Sequence, residues 1–160
     1  MTQILIVGYG NPDREDDGVA WHILARLAQR LSLPAPAGDA EGLAHLETSP
    51  HLLCLLQLNP ELAELVAEYE RVCFVDAHTG AYTEDIRCET IEGAYLPSPF
   101  THHMTPPTLL MLAQTLYARA PRALVVSVRG YQFGFSDQLS PATAALTEAA
   151  VQQILTWVQG

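Results

Sequence analysis

Carboxylates crowd one short stretch of this sequence. Ile4 to Ala20 reads ILIVGYGNPDREDDGVA, in which Asp13, Glu15, Asp16 and Asp17 follow the glycine turn Gly8-Tyr9-Gly10-Asn11-Pro12. A further aspartate, Asp76, closes the apolar run of RVCFVDAHTG, and His102 and His103 stand side by side in EGAYLPSPFTHHMTPP. Two carboxylates and an imidazole make an open ligand set for a borderline divalent metal. Each also has a plainer role open to it. Carboxylates at a helix start cap free N–H groups, at about 0.5–2 kcal/mol. One aspartate is enough for that, and this turn supplies more than one. Asp76 can cap a loop, and loop histidines can bond to the backbone.

Other chemistries fit less well. A dinucleotide-binding turn needs G-x-G-x-x-G, and Gly8 and Gly10 are followed at the third position by Asp13. A carboxylate beside a pyrophosphate is repelled by several kcal/mol, roughly, where screening is poor. No lysine completes a phosphate loop either. The glycines then serve a sharp turn and a close backbone approach. No G-x-S-x-G elbow occurs, and Ser127 falls inside an apolar strand-like run. Cys54, Cys73 and Cys88 have no C-x-x-C spacing and sit in apolar or strand-like runs, as reduced buried thiols do. No catalytic nucleophile or general base is assigned.

The elements that must hold these residues alternate. Residues 3–7, 52–57, 71–76 and 123–129 read as short buried strands, and 86–91 as a weaker edge strand. Helices are expected over 17–31, 60–69 and 108–118, with a last one capped by Ser140 and reaching Trp157. Residues 33–50 read as a surface connection rich in proline. Apolar strands alternating with helices predict an α/β fold: a three-layer α/β/α sandwich on a mostly parallel five-stranded sheet. Residues 1–160 form one domain in this reading. Open parallel sheets carry their sites at the carboxyl ends of the strands. The acidic turn, Asp76 and the histidine pair all fall there.

Composition narrows the partners. The chain is 49% hydrophobic and 16% charged, which is globular, and its net charge is -10 with Lys+Arg at 8. So few cations make no basic face for nucleic acid or an anionic membrane. No apolar run approaches the roughly 20 residues of a spanning helix, and no leader pattern precedes the first strand. A cytoplasmic protein follows as the expectation.

The motifs together resemble those of a known family. GYGNPDREDDGVA is similar to the G-x-G-N-x-x-x-x-D-D/E-G opening of the hydrogenase maturation endopeptidases. VCFVDA resembles that family's third strand with its terminal aspartate, and THHMTPPTLLMLAQTLY its histidine followed by a helix. GYQFGFSDQLSPATAALTEAAVQQIL resembles its last loop and helix. The resemblance implies an α/β/α endopeptidase that removes the C-terminal extension of a nickel–iron hydrogenase large-subunit precursor after nickel insertion. It implies metal contacts at Asp17, Asp76 and His103, with His102 the alternative one position away. Gly8, Gly10, Asn11, Asp16 and His102 would support the loop or the substrate. The nickel is implied to be carried by the substrate, with no resident cofactor, and a monomer is expected.

Overall fold

The computed structural model describes residues 3–94 and 104–160. In chain order the elements are β1 (Ile4–Tyr9), α1 (Val19–Leu31), β2 (His51–Leu55), α2 (Leu62–Ala67), β3 (Arg71–His78), β4 (Ile86–Ile91), α3 (Pro106–Tyr117), β5 (Arg122–Arg129) and α4 (Pro141–Gln159). The sheet order is β2-β1-β3-β5-β4; β4 runs antiparallel to β5 and every other pairing is parallel.

Strand alternation builds the two flanking layers. Ile4 and Ile6 of β1, Cys73 and Val75 of β3, and Leu124, Val126 and Val128 of β5 pack with α1 and α4. The intervening residues, among them Leu5, Val7, Val72, Phe74 and Ala123, pack with α2 and α3. This is the period of two expected of a pleated sheet buried on both faces. The result is the α/β/α sandwich expected from the sequence.

The boundaries shift in informative places. The expected helix start at 17 is instead a 3-10 turn, Glu15–Gly18, and α1 begins at Val19. The strand expected to end at Asp76 continues to His78, because Asp76, Ala77 and His78 pair with Ser127, Val128 and Arg129. The second strand lies one residue earlier at its start than expected, and α2 is shorter than the expected 60–69. Thr105 caps α3 by accepting from the Thr108 N–H, and Ser140 caps α4 by accepting from the Thr143 N–H, each with proline in the first turn. Within the expected 33–50 connection, Ala37 lies along β2. Its N–H donates to the Leu52 carbonyl and its own carbonyl accepts from the Cys54 N–H, both at 2.9 Å.

Candidate functional site

In a sheet of this order the chain winds away in opposite directions from β1 and β3, and their carboxyl ends leave a crevice. A cleft of about 230 Å³ lies there, lined by Tyr9, Gly10, Asp17, Leu56, Gln57, Leu58, Asp76, Ala77 and Met104. Asp17 and Asp76, distant in sequence, share it.

Asp76 owes its setting to register. Tyr9, Asp76 and Ser127 lie on the neighbouring strands β1, β3 and β5, and Asp76 pairs directly with Ser127. The Tyr9 hydroxyl donates to Asp76 Oδ2 at 2.7 Å, and the Ser127 hydroxyl makes a short hydrogen bond to Oδ1. Each carboxylate oxygen therefore has one protein donor. Burial pushes the Asp76 carboxyl above its ordinary value; the Ser127 and Tyr9 hydrogen bonds and nearby His78 oppose this, and Asp17 adds to it. Burial first, and then the Asp76 charge, raise the Tyr9 hydroxyl well above 10, so it stays a donor at neutral pH.

The turn before α1 is not a phosphate cradle, because its donors are already spent. The Gly10 N–H donates to the Leu55 carbonyl at 3.1 Å, Asn11 N–H to Asp17 Oδ2 at 2.8 Å, and Asp13 N–H to Asn11 Oδ1 at 2.9 Å. Gly10 has φ +139°, and a Cβ there would stand 2.1 Å from the Asp17 carbonyl oxygen. Gly8 lets α1 close on the sheet, since a Cβ would meet Leu24 Cδ1 at 3.0 Å and Ala20 Cβ at 3.1 Å.

Asp16 points elsewhere. It is fully buried and accepts from Tyr131 N–H, Gln132 N–H, Ser140 N–H and the Ser140 hydroxyl, at 2.7–2.9 Å. Neither it nor Asp17 caps α1, whose cap residue is Gly18 with no side-chain bond. Asp16 therefore holds the loop after β5. Desolvation alone would raise its carboxyl; the hydrogen bonds from Tyr131, Ser140 and Gln132 outweigh it and hold the pKa at about 2. Arg14 fixes the same loop, its guanidinium donating to the Phe133 and Gly134 carbonyls.

His102 and His103 lie outside the described residues; Met104, the next residue, lines the cleft. Among the described residues no three His, Cys, Asp or Glu side chains group to hold a metal ion. His78 shares the strand with Asp76 but both its ring nitrogens are engaged. Nε2 meets the Glu84 carbonyl at 3.1 Å and Nδ1 accepts from Gly80 N–H at 3.2 Å. Burial pushes the Cys54 thiol up to about 12, and raises Cys73 as well, which makes neither a ready nucleophile. A roomier groove of about 540 Å³, lined by Leu43, His51, Glu64 and Tyr69 among others, lies at the amino-terminal end of β2, away from both aspartates.

Sequence reasoning missed Tyr9 and Ser127. Ser127 was legible only as a polar residue in a buried strand, and its role appears once register sets it beside Asp76.

No protein-family model matches the sequence, and no curated protein does. Solved structures do. The hydrogenase maturating endopeptidase HybD from E. coli superposes with a TM-score of 0.67 at 20% identity, covering 98% of this chain and 92% of that one. The NiFe hydrogenase maturation protease HycI from Thermococcus kodakarensis gives 0.66 at 17% identity, over 99% and 94%. A hydrogenase 2 maturation peptidase from a Thaumarchaeota archaeon gives 0.58 at 16%, over 98% and 97%. In architecture and extent, the chain has the fold of the hydrogenase maturation endopeptidases.

Proposed function

We propose that this chain is an endopeptidase that removes the C-terminal extension of a nickel–iron hydrogenase large-subunit precursor once nickel has been inserted. The observation that carries this is the shared cleft of Asp17 and Asp76 at the carboxyl ends of β1 and β3, in a fold whose solved examples include proteins named as hydrogenase maturation proteases. The nickel belongs to the substrate. Asp17 and Asp76 contact it, and His103 is the third contact by the motif resemblance; its neighbour Met104 lines the same cleft. Asp76 suits this role. Its carboxylate is held by Tyr9 and Ser127 yet remains costly to ionise, and an arriving cation offsets that cost.

The test is a processing assay on purified precursor with and without nickel. A mobility shift of the nickel-loaded large subunit, and none of the nickel-free form, supports the proposal. Complex formation without a shift means a nickel-sensing binding module. One tightly held zinc per chain, whose removal ends activity until it is restored, means a metallohydrolase with a resident ion.

A further inference from the structure

Large exposed apolar side chains are unevenly distributed over this molecule. Among the described residues there are six: Leu56, Tyr82, Leu116, Tyr117, Tyr131 and Phe135. Leu116 and Tyr117 end α3; the other four lie in segments that leave the carboxyl ends of β2, β3 and β5, the edge that holds the aspartate cleft. Phe135 is 88% exposed, the extreme of the set.

The three aromatic residues of this edge each carry an arginine. Arg14 lies 4.7 Å from the Phe135 ring centroid, Arg129 4.9 Å from that of Tyr131, and Arg87 4.6 Å from that of Tyr82. Only one other such pair, Arg71 with Trp157, occurs among the described residues. The chain has eight cationic residues, so three at one rim of a molecule of net charge -10 is a concentration. Tyrosine, phenylalanine and arginine are the residue types enriched where proteins bind proteins.

The loop bearing Phe135 and Tyr131 is also rigidly held. Besides the bonds to Asp16 and Arg14, Glu15 N–H donates to the Ser136 carbonyl at 2.8 Å and Ser136 N–H to the Asp13 carbonyl at 3.1 Å. A fixed loop loses little freedom when its apolar tip is covered, and that lowers the cost of docking. Yet, apart from Arg14 over one face of the Phe135 ring, the tip stays open among the described residues. An apolar ring kept in water by a loop that several backbone hydrogen bonds fix makes sense when a partner supplies the missing apolar wall.

We propose that this arginine–aromatic rim, with Phe135 as its anchor, is the docking surface for the folded body of the protein substrate. This rests on the peptidase reading above, because a protein whose tail enters the cleft must cover the edge around it. Phe135 fills an apolar pocket on the substrate, and Tyr131 and Tyr82 with their arginines flank it. The rim thereby determines which protein presents its tail, while Asp17 and Asp76 act within the cleft.

Nickel-loaded precursor is the probe, and both cleavage kinetics and direct binding are read. Phe135→Ala and Tyr131→Ala should keep the wild-type circular dichroism. Each should raise KM for the precursor about tenfold or more, with kcat within about twofold. Precursor binding should weaken in parallel, and Leu116→Ala, on the far edge, should change neither. Wild-type KM and binding in both rim variants, with the wild type cleaving normally, would overturn the docking surface and leave the peptidase reading standing. Precursor binding that is sensitive to Phe135→Ala without cleavage by the wild type would overturn the peptidase reading and keep the surface. A wild type that neither binds nor cleaves the precursor overturns both.

Discussion

Replacing Asp16 by asparagine looks mild, since an amide can also accept hydrogen bonds, but its surroundings make it severe. All four groups that meet this carboxylate are donors: three backbone N–H groups and the Ser140 hydroxyl. An amide must turn its own NH₂ toward one of them. Placing it at the Oδ1 position, the less costly choice, faces it to the Ser140 N–H and leaves that buried donor unpaired, at about 1–3 kcal/mol. The charge is lost as well. A carboxyl held at about 2 instead of 3.8 contributes roughly 2 kcal/mol at neutral pH. The two together come to about 3–5 kcal/mol, which for a chain of this size lowers Tm by on the order of 10 °C. The sign of the pH dependence follows from the depressed folded value. The wild-type advantage is complete above the unfolded pKa and fades as pH falls from about 4 toward 2. Urea unfolding of both proteins at pH 7 and pH 3 checks this. The gap should narrow at pH 3 by about 1 kcal/mol. Equal urea midpoints at pH 7, or a gap of the same size at both pH values, would refute the assignment of Asp16 as an ionised clamp on the loop after β5.

Asp17→Ala and Asp76→Ala should each abolish precursor processing with circular dichroism unchanged; full activity in either removes that residue from the site. Processing should fail on the acid side as Asp76 takes up a proton, and Ser127→Ala, which removes a bond that lowers its pKa, should move that limb to higher pH; an unmoved or lowered limb in the pH–rate profile contradicts the Asp76 role. Gly10→Ala should cost several kcal/mol, on the order of 3 or more, because the new Cβ strikes the Asp17 carbonyl and the backbone sits at positive φ, and a denaturant midpoint equal to wild type would refute the close approach. Enzyme stripped with a chelator, then freed of it, should still cut nickel-loaded precursor and leave nickel-free precursor whole; activity that returns only with added zinc would place the metal in the enzyme.

The layers of the fold were legible because the buried strands are continuously apolar and the helices carry an inward stripe, patterns local enough to read from sequence. The acidic turn and Asp76 could be assigned to one edge by the rule for parallel sheets. Tyr9 and Ser127 could not, since their roles depend on which residues stand opposite across β1, β3 and β5, and strand register is a tertiary property. Asp16 and Asp17 were separated by the motif resemblance, which gives Asp17 the metal contact and Asp16 the support of the loop. Adjacent positions in a 3-10 turn point apart, and the returning loop at 130–140 is what buries Asp16. Arg14 gave no signal at all, because its partners are backbone carbonyls more than a hundred residues away.

Ala37, in a stretch that resembles slack between α1 and β2, bonds to the outer side of β2 through both its N–H and its carbonyl. β2 is one border of the sheet, and a bare border strand is a template for self-association into aggregates. The opposite border, β4, is guarded differently: Arg87 and Glu89 put charges along it. Among the described residues, Ala37 is thus the backbone that pairs along the outer side of β2. Shortening the 33–50 stretch would strip that cover and turn a change far from the cleft into a loss of soluble protein.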